Sequence, residues 1–302
     1  MNPLQAALLR WYSATQNRFV VGNSPPRCTP VPCDPQFPDG TSGVAFDGSS
    51  MWVTHWDDNS ITKLRASDGA VLGIFPVPGT PYAIAFDGAN IWATLWNGPN
   101  GPGGSVVKLR ASDGTLLGTF TVGSSPSAIL FDGSSIWVAN GGANVTKLDL
   151  GGNALGTFQV GFDPEGLAFD GANIWVMNRG DSTVTKLAAD GSKIGTYQVA
   201  SPNGITFDGS NIWVAGFDGT ITELRASDGA QVGTFSVAYG ATALLFDGSH
   251  IVVFSNAILT RLRASDGTIV DTAGITSRQI FSVAFDGANY WGADDTNKVT
   301  KF

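Results

Sequence analysis

The fold is decided by one stretch of sequence, PEGLAFDGANIWVMNRGDSTVTKL, at residues 164–187. Its Phe-Asp-Gly tripeptide recurs along the whole chain at intervals of 38 to 45 residues. The copies begin at Phe46, Phe86, Phe131, Phe169, Phe207, Phe246 and Phe285. A nearly fixed period of this length indicates a protein built from repeats of one supersecondary unit.

Other positions follow the same period. A Trp stands six residues after each of these Phe, except in the sixth copy, where Val252 takes its place. A run like V-T-K-L follows, and in six copies a Ser-Asp-Gly or equivalent turn then leads into a run like G-T-F-x-V. Asp-Gly between apolar runs favours a tight hairpin because Gly adopts positive φ without strain. Each unit therefore predicts four short antiparallel strands, here called a to d in chain order.

Four strands per unit at a period near forty predict an all-β fold, a seven-bladed β-propeller. A solenoid would need capping repeats at both ends, and the sequence shows none. We expect one domain over residues 17–302, with the regularly spaced Trp packed between neighbouring blades. The seventh copy stops after strand c, at Phe302, whereas residues 17–22, NRFVVG, match strand d. An N-terminal strand over residues 17–22 is therefore expected to complete the last blade and to close the ring.

Composition excludes several classes of function. The 302 residues carry a formal net charge of −8, which disfavours binding to nucleic acid phosphates. No apolar run is long enough to span a bilayer. Residues 1–16 lack the apolar core of a secretory signal. We expect a protein that is not exported by the standard route and that resides in the cytoplasm or in an assembly such as a virion.

The N-terminal segment, residues 1–16, has the pattern of a short helix. Leu4, Leu8 and Trp11 would lie on one face of it. Two interpretations stay open. The segment is either a plug packed on the propeller or a docking helix for a partner protein or a second copy, within a larger assembly such as a virion or an appendage.

The candidate binding face follows from the connections between strands. The a–b and c–d turns are nearly identical from copy to copy, whereas the b–c and d–a loops at the opposite end vary. Variable loops on a rigid scaffold are the usual place for a site. Ten of their residues are predicted to bind a ligand: His55, Trp56, Asp57, Trp96, Asn97, Phe162, Asp163, Arg179, Phe217 and Tyr239. The same loops also carry Tyr82, Glu165, Asn203 and Arg278.

Aromatic planes beside carboxylates and amides suit a saccharide, which offers an apolar ring face and hydroxyl groups. The alternative is that these aromatic side chains cap the blade ends and pack on one another. Trp56 and Trp96 favour binding more than the others, because both fall outside the repeat pattern.

Catalytic and metal motifs are scarce. The runs Asp57-Asp58-Asn59 and Asp294-Asp295 offer oxygen ligands for Mg²⁺ or Ca²⁺, but neither has EF-hand spacing, and no cofactor is expected. The chain has two His, and His250 falls in an a–b turn, at the opposite end from His55. No nucleophile elbow, zinc-protease or phosphate-binding motif is present.

The two cysteines, Cys28 and Cys33, lie close together in the N-terminal region. A local disulfide is sterically possible, and a zinc pair would lack two ligands. Whether the two thiols are joined stays open.

The units NIWVAN, VTKLRASDG and GTFTVG, together with the Phe-Asp-Gly strand, resemble the bacterial superfamily of YVTN, NHL-like and streptogramin B lyase-like propellers. The resemblance covers about residues 17–302 and implies the propeller fold. Most members are binding scaffolds, whereas the lyases open a cyclic depsipeptide by Mg-assisted elimination with a His base and carboxylates. This chain has only two Glu, Glu165 and Glu223, and the lyase catalytic set matches none of its positions.

The sequence therefore favours a non-enzymatic binding or structural propeller whose variable face engages a saccharide or a protein. A metal-assisted lyase related to the streptogramin B lyases is the alternative.

Overall fold

The computed structural model describes residues 29–30, 40–96, 103–275, 279–294 and 298–302. Within these residues every regular element is a β-strand, and the strands form seven four-stranded antiparallel sheets. The predicted seven-bladed propeller is confirmed. No helix in this part of the chain has the length and apolar character needed to cross a membrane.

The blades follow one another along the chain, and each contributes strands a to d in order. Blades one to three consist of β2 (Thr41–Phe46), β3 (Ser50–His55), β4 (Ser60–Arg65), β5 (Val71–Pro76); β6 (Pro81–Phe86), β7 (Asn90–Leu95), β8 (Ser105–Arg110), β9 (Leu116–Thr121); and β10 (Pro126–Phe131), β11 (Ile136–Asn140), β12 (Asn144–Leu148), β13 (Ala154–Gln159). Blades four and five consist of β14 (Pro164–Phe169), β15 (Asn173–Asn178), β16 (Thr183–Ala188), β17 (Lys193–Gln198); and β18 (Pro202–Phe207), β19 (Asn211–Gly216), β20 (Thr220–Arg225), β21 (Gln231–Ser236). Blades six and seven consist of β22 (Ala241–Phe246), β23 (His250–Ser255), β24 (Ile258–Arg263), β25 (Ile269–Gly274); and β26 (Ile280–Phe285), β27 (Tyr290–Asp294), β28 (Val299–Lys301) with β1 (Thr29–Pro30).

The a strands line the centre of the ring. Each contacts the a strand of the next blade, and β26 contacts β2, so the ring closes. Buried apolar clusters fill the spaces between blades. Trp137 of blade three, for example, is fully buried against Ile174 and Val176 of blade four. The predicted packing of the repeated Trp between blades is confirmed.

The Phe-Asp-Gly turn and the Trp are joined by hydrogen bonds. One oxygen of the Asp carboxylate accepts backbone N–H groups inside the turn, as Asp132 does from Ser134 and Ser135. The other oxygen accepts the indole N–H at 2.6 to 2.8 Å. The pairs are Asp47–Trp52, Asp87–Trp92, Asp132–Trp137, Asp170–Trp175, Asp208–Trp213 and Asp286–Trp291. The spacing in the repeat thus places a carboxylate beside the indole N–H, which would otherwise be buried without a hydrogen-bond partner.

Two further repeat positions hold adjacent blades together. In five blades the Lys of V-T-K-L lies over the Trp ring at 4.8 to 5.1 Å from its centroid. Its ammonium donates to a carbonyl in the next blade, as Lys186 Nζ does to Ala226 O at 2.6 Å. The Gly of the c–d turn is required as well, because Gly191 has φ of +89° and a Cβ there would lie 2.1 Å from the Phe158 ring of the preceding blade.

The seventh blade obtains its strand d from the N-terminal part of the chain. Thr29 pairs with Lys301 and Pro30 with Thr300, so β1 occupies the free edge of β28. The strand observed in this place begins later in the chain than the predicted residues 17–22. Those residues lie outside the described part of the chain, as do residues 1–16, Cys28 and Cys33.

Candidate ligand site at the channel mouth

The second residue of every a strand interrupts the pairing with strand b. In blade four, Pro164 is opposite Asn178 but Gly166 is opposite Met177, so Glu165 has no partner in the ladder. A register shift also occurs at this position in the other six blades, and in blades one and two the interruption extends over the next residue as well. A β-bulge of this kind turns a side chain away from the sheet and is often found beside functional sites. The seven residues, here called the bulge ring, are Ser42, Tyr82, Ser127, Glu165, Asn203, Thr242 and Phe281.

All seven members of the bulge ring line one cavity of about 500 Å³ at the centre of the propeller. The cavity lies where the a strands begin, which is the end that carries the b–c and d–a loops. Two residues further along the strands, aliphatic side chains continue its wall. They include Val44, Ile84, Ile129, Leu167 and Val283. The volume is within the range typical of small-molecule sites.

Three members of the bulge ring bind the neighbouring blade. Ser42 Oγ donates to Tyr82 O at 3.1 Å, and Ser127 Oγ donates to Pro164 O at 2.5 Å. Asn203 Nδ2 donates to Ala241 O at 2.9 Å. These side chains have a structural role that accounts for their polarity.

Tyr82, Glu165 and Phe281 differ from those three because they present surface to the cavity. Tyr82 is 39% exposed and Phe281 is 46% exposed, which is unusual for large rings on the innermost strands of the propeller. Glu165 is half-buried, and its carboxylate pairs with a side chain of the b–c loop. These three residues are therefore the members of the ring best placed to contact a ligand.

The first residue after strand b reaches the same mouth. Its backbone N–H donates to the carbonyl that precedes the adjacent a strand, which fixes the loop beside the bulge ring. Trp96 N bonds to Thr80 O at 2.8 Å, and Arg179 N bonds to Asp163 O at 2.9 Å. Phe217 in blade five is held in the same way, and Arg179 and Phe217 line the cavity.

Two pairs of aromatic rings stand at the mouth. Tyr82 and Trp96 of blade two meet edge to face, with ring centroids 6.0 Å apart. Phe217 of blade five meets Tyr239 at 5.1 Å, again edge to face. Contacts of this geometry hold the rings in place and leave a face of each pair open.

Glu165 and Arg179 form an ion pair inside blade four. Arg179 Nη1 lies 3.2 Å from Glu165 Oε1 and 3.1 Å from Oε2. Burial raises the pKa of the Glu165 carboxyl, the charge of Arg179 opposes this rise, and the charge of Asp163 adds to it. Burial also raises the pKa of the Tyr82 hydroxyl, and the charge of Glu165 raises it further. The tyrosine and the ion pair therefore share one electrostatic environment.

The ten residues predicted from the sequence are not gathered in one place. Arg179 and Phe217 line the cavity, and Trp96 and Tyr239 contact residues that line it. His55 is the last residue of β3 rather than a loop residue, and it is fully buried.

The remaining predicted residues lie further out. Trp56 is 51% exposed and packs over Gly40. It differs in this from Trp96, which contacts the ring of Tyr82. Asp57 and Phe162 are exposed. Asp163 has φ of +53°, a turn conformation that Ser125 repeats in blade three. Asn97 lies outside the described residues.

Sequence reasoning missed four members of the bulge ring, namely Ser42, Ser127, Thr242 and Phe281. A signal for them exists in the repeat. Four residues before each Phe of Phe-Asp-Gly, the seven copies read Ser, Tyr, Ser, Glu, Asn, Thr and Phe, whereas the next position is always Gly, Ala or Ser. Variation at one position inside an otherwise regular strand marks a residue whose side chain is not part of the repeated core.

The carboxylates considered as metal ligands are placed differently from one another. Asp57 and Asp58 are exposed in a turn. Asp294 is buried, and its carboxylate accepts hydrogen bonds from Thr300 Oγ1 and Lys298 N. Among the described residues, no group of three or more His, Cys, Asp or Glu side chains has the geometry to hold a metal ion. Asp295 lies outside them.

Comparison with known proteins supports the fold. No family model matches the chain, and no curated protein is significantly similar to it in sequence. Solved structures match in large number, 1634 chains in all. One of them is described as "Streptogramin B lyase structure"; it is 19% identical, covers 88% of this chain and 94% of its own, and superposes with a TM-score of 0.74. The resemblance predicted from the repeat is confirmed for the fold, and this degree of identity carries no conclusion about activity.

Proposed function

We propose that this protein is a binding propeller that holds a saccharide at the channel mouth. The observation that carries the proposal is the bulge ring. The Phe-Asp-Gly turns, the Trp and the V-T-K-L runs repeat from blade to blade, whereas the seven side chains that line the channel mouth vary in chemistry. Variable side chains at the mouth of a regular, rigid scaffold have the form of a binding site.

The chemistry of the cavity supports a saccharide. A sugar ring presents C–H groups on one face, which pack on aromatic rings, and hydroxyls at its edge, which both donate and accept hydrogen bonds. Tyr82 with Trp96 in blade two, and Phe281 in blade seven, supply aromatic surface. Glu165 and Arg179 supply acceptors and donors. A cavity of about 500 Å³ accommodates one or two sugar units.

A glycan array with the full chain tests the proposal. We expect the wild type to bind a subset of the saccharides, and we expect Trp96→Ala and Phe281→Ala each to weaken that signal at least about tenfold, since buried aromatic contacts dominate such sites. Leu117→Ala is the matched control, because Leu117 is an exposed apolar residue on β9, an outer strand away from the channel. A wild type that binds no saccharide would sink the proposal and would leave a protein partner as the hypothesis to test.

A further inference from the structure

Within the proposed binding function, on which this step rests, the Glu165–Arg179 pair defines the class of ligand. We propose that the channel mouth selects an uncharged saccharide, and that this pair binds two adjacent hydroxyls of it. Three observations on the two side chains support this inference: their contacts, their charges and their exposure.

The Glu165–Arg179 contact uses only some of the hydrogen-bond donors and acceptors of the two side chains. Only Nη1 of Arg179 contacts Glu165, whereas a guanidinium has five N–H donors. The carboxylate has about four acceptor sites and gives two to Arg179. Side-chain exposure is 54% for Arg179 and 32% for Glu165, so both retain surface at the mouth. A donor and an acceptor side by side match a vicinal diol, in which each hydroxyl can donate one hydrogen bond and accept another.

The pair also neutralises itself. Among the described residues that line the cavity, Glu165 and Arg179 are the only two with ionisable acidic or basic groups charged at pH 7. An anionic ligand would have to displace Glu165 from Arg179, and a cationic ligand would have to displace Arg179 from Glu165. The displaced side chain would be left half-buried without its counter-ion. Such uncompensated charges are costly.

The surroundings disfavour an anionic ligand further. Asp163 lies close enough to raise the pKa of Glu165. The loops at this end also carry Asp181, whose carboxylate accepts the N–H of Phe162, and Asp218, whose carboxylate accepts the N–H of Thr220. These carboxylates repel a uronate or a sulfated sugar before it reaches Arg179. The combination points to hexoses or pentoses without charged substituents.

The experiment compares three sets of oligosaccharides on one array: neutral ones, ones that contain uronates, and ones with free amino groups. The wild type is expected to bind within the neutral set. Glu165→Gln keeps the shape of the side chain but leaves Arg179 with an excess positive charge. It should lose about tenfold in signal for the neutral ligand and gain signal for uronates. Arg179→Gln should likewise lose neutral binding and gain signal for the amino sugars.

Asp68→Asn is the matched control. It removes the acidic partner of an exposed ion pair, Arg65–Asp68, in a c–d turn at the opposite end of the propeller, and it should leave the whole array profile unchanged. Thermal unfolding of each variant identifies any loss of fold, and the reciprocal gains of signal cannot come from unfolded protein. A wild type that prefers uronates or amino sugars overturns this inference and leaves the binding function standing. A wild type that binds none of the three sets overturns the binding function itself. Variants that lose neutral binding without either gain overturn the assignment to this pair.

Discussion

Tyr290 of blade seven donates its phenolic O–H to the carboxylate of Asp247 in blade six, across 2.6 Å. In the other blades the equivalent carboxylate oxygen accepts an indole N–H from its own blade. Blade six has Val252 where that Trp would stand, so a side chain of the next blade supplies the missing donor. The interface between blades six and seven is thus built differently from the others, and the Asp247 carboxylate nevertheless receives a hydrogen bond.

Tyr290→Phe tests this hydrogen bond. Its removal should lower the free energy of unfolding by about 1.5–3 kcal/mol at pH 7, because the acceptor is charged and buried. Burial, and then the charge of Asp247, raise the pKa of Tyr290 above its ordinary value of 10.0. The stability that it contributes is therefore complete below pH 10 and is lost as the pH rises further. Urea denaturation between pH 7 and 11 should show the wild type approaching the variant at alkaline pH. A constant difference between the two curves would contradict the assignment.

Val252→Trp tests how the space is filled. Phe254, Tyr290 and Phe302 occupy the cluster around Val252, and the other blades have Ile or Met at the position of Tyr290 and Leu at the position of Phe302. Restoring the Trp alone should overfill the interface and destabilise the protein by about 1–3 kcal/mol. The triple variant Val252→Trp, Tyr290→Ile, Phe302→Leu should recover most of the loss in chemical denaturation, because Ile stands at the position of Tyr290 in most other blades. A triple variant less stable than the single one would mean that the three positions do not compensate.

Glu223 marks one of the two blades in which the lysine contact is missing; the other is blade six, which has Arg261 and Val252 at the two positions. It stands on β20 at the repeat position of the lysines that lie over Trp rings, and its carboxylate accepts from Asn211 Nδ2 at 2.7 Å. Burial raises the pKa of Glu223, and the charge of Asp208 raises it further, so the position disfavours a negative charge. Glu223→Lys should gain about 1 kcal/mol in urea denaturation by stacking on Trp213 and bonding to blade six.

Glu223→Gln is the control for this gain, since it removes the repulsion from Asp208 without adding a cation. The lysine variant should be the more stable of the two. Equal stability would show that relief of repulsion, and not the bond between blades, accounts for any gain.

The proposed use of Glu165 predicts a pH dependence of saccharide binding. The ionised carboxylate accepts hydroxyl hydrogen bonds more strongly than the protonated acid does, and the pKa of Glu165 is raised above the ordinary 4.5. Calorimetric titration should therefore show affinity falling as the pH drops through that raised pKa, sooner than an ordinary Glu would cause. The protein itself should stay folded, because a raised carboxyl pKa means that the folded state binds the proton more tightly than the unfolded chain. Glu165→Gln should bind weakly with a flat profile, and an equally steep fall in that variant would exclude Glu165 as the cause.

The sequence was sufficient for the propeller because its signals are local and repeated. The Asp-Gly turns and the Trp that follows them act within one hairpin, so Asp132 and Trp137 predict their own contact. The strand that closes the ring was harder to place. Residues 17–22 carry the apolar pattern of strand d, whereas Thr29–Pro30, which pairs with β28, has no such pattern.

The site was predicted less completely because its placement depends on backbone irregularity. A bulge breaks the alternation of side chains along a strand, and the residues of β14 taken alone do not predict that Glu165 turns into the channel. Only the comparison of the seven copies singles out its position. His55 illustrates the opposite error. It ends a strand and is buried, although its position next to a variable loop suggested an accessible side chain.

A crystal structure of the full chain with the neutral saccharide selected on the array would locate the binding site directly. We expect the sugar in the central cavity, with its ring against Tyr82 and Trp96 and adjacent hydroxyls on Glu165 and Arg179. A saccharide bound at the Phe-Asp-Gly turns or on the outer strands, with none in the cavity, would contradict a binding site at the channel mouth.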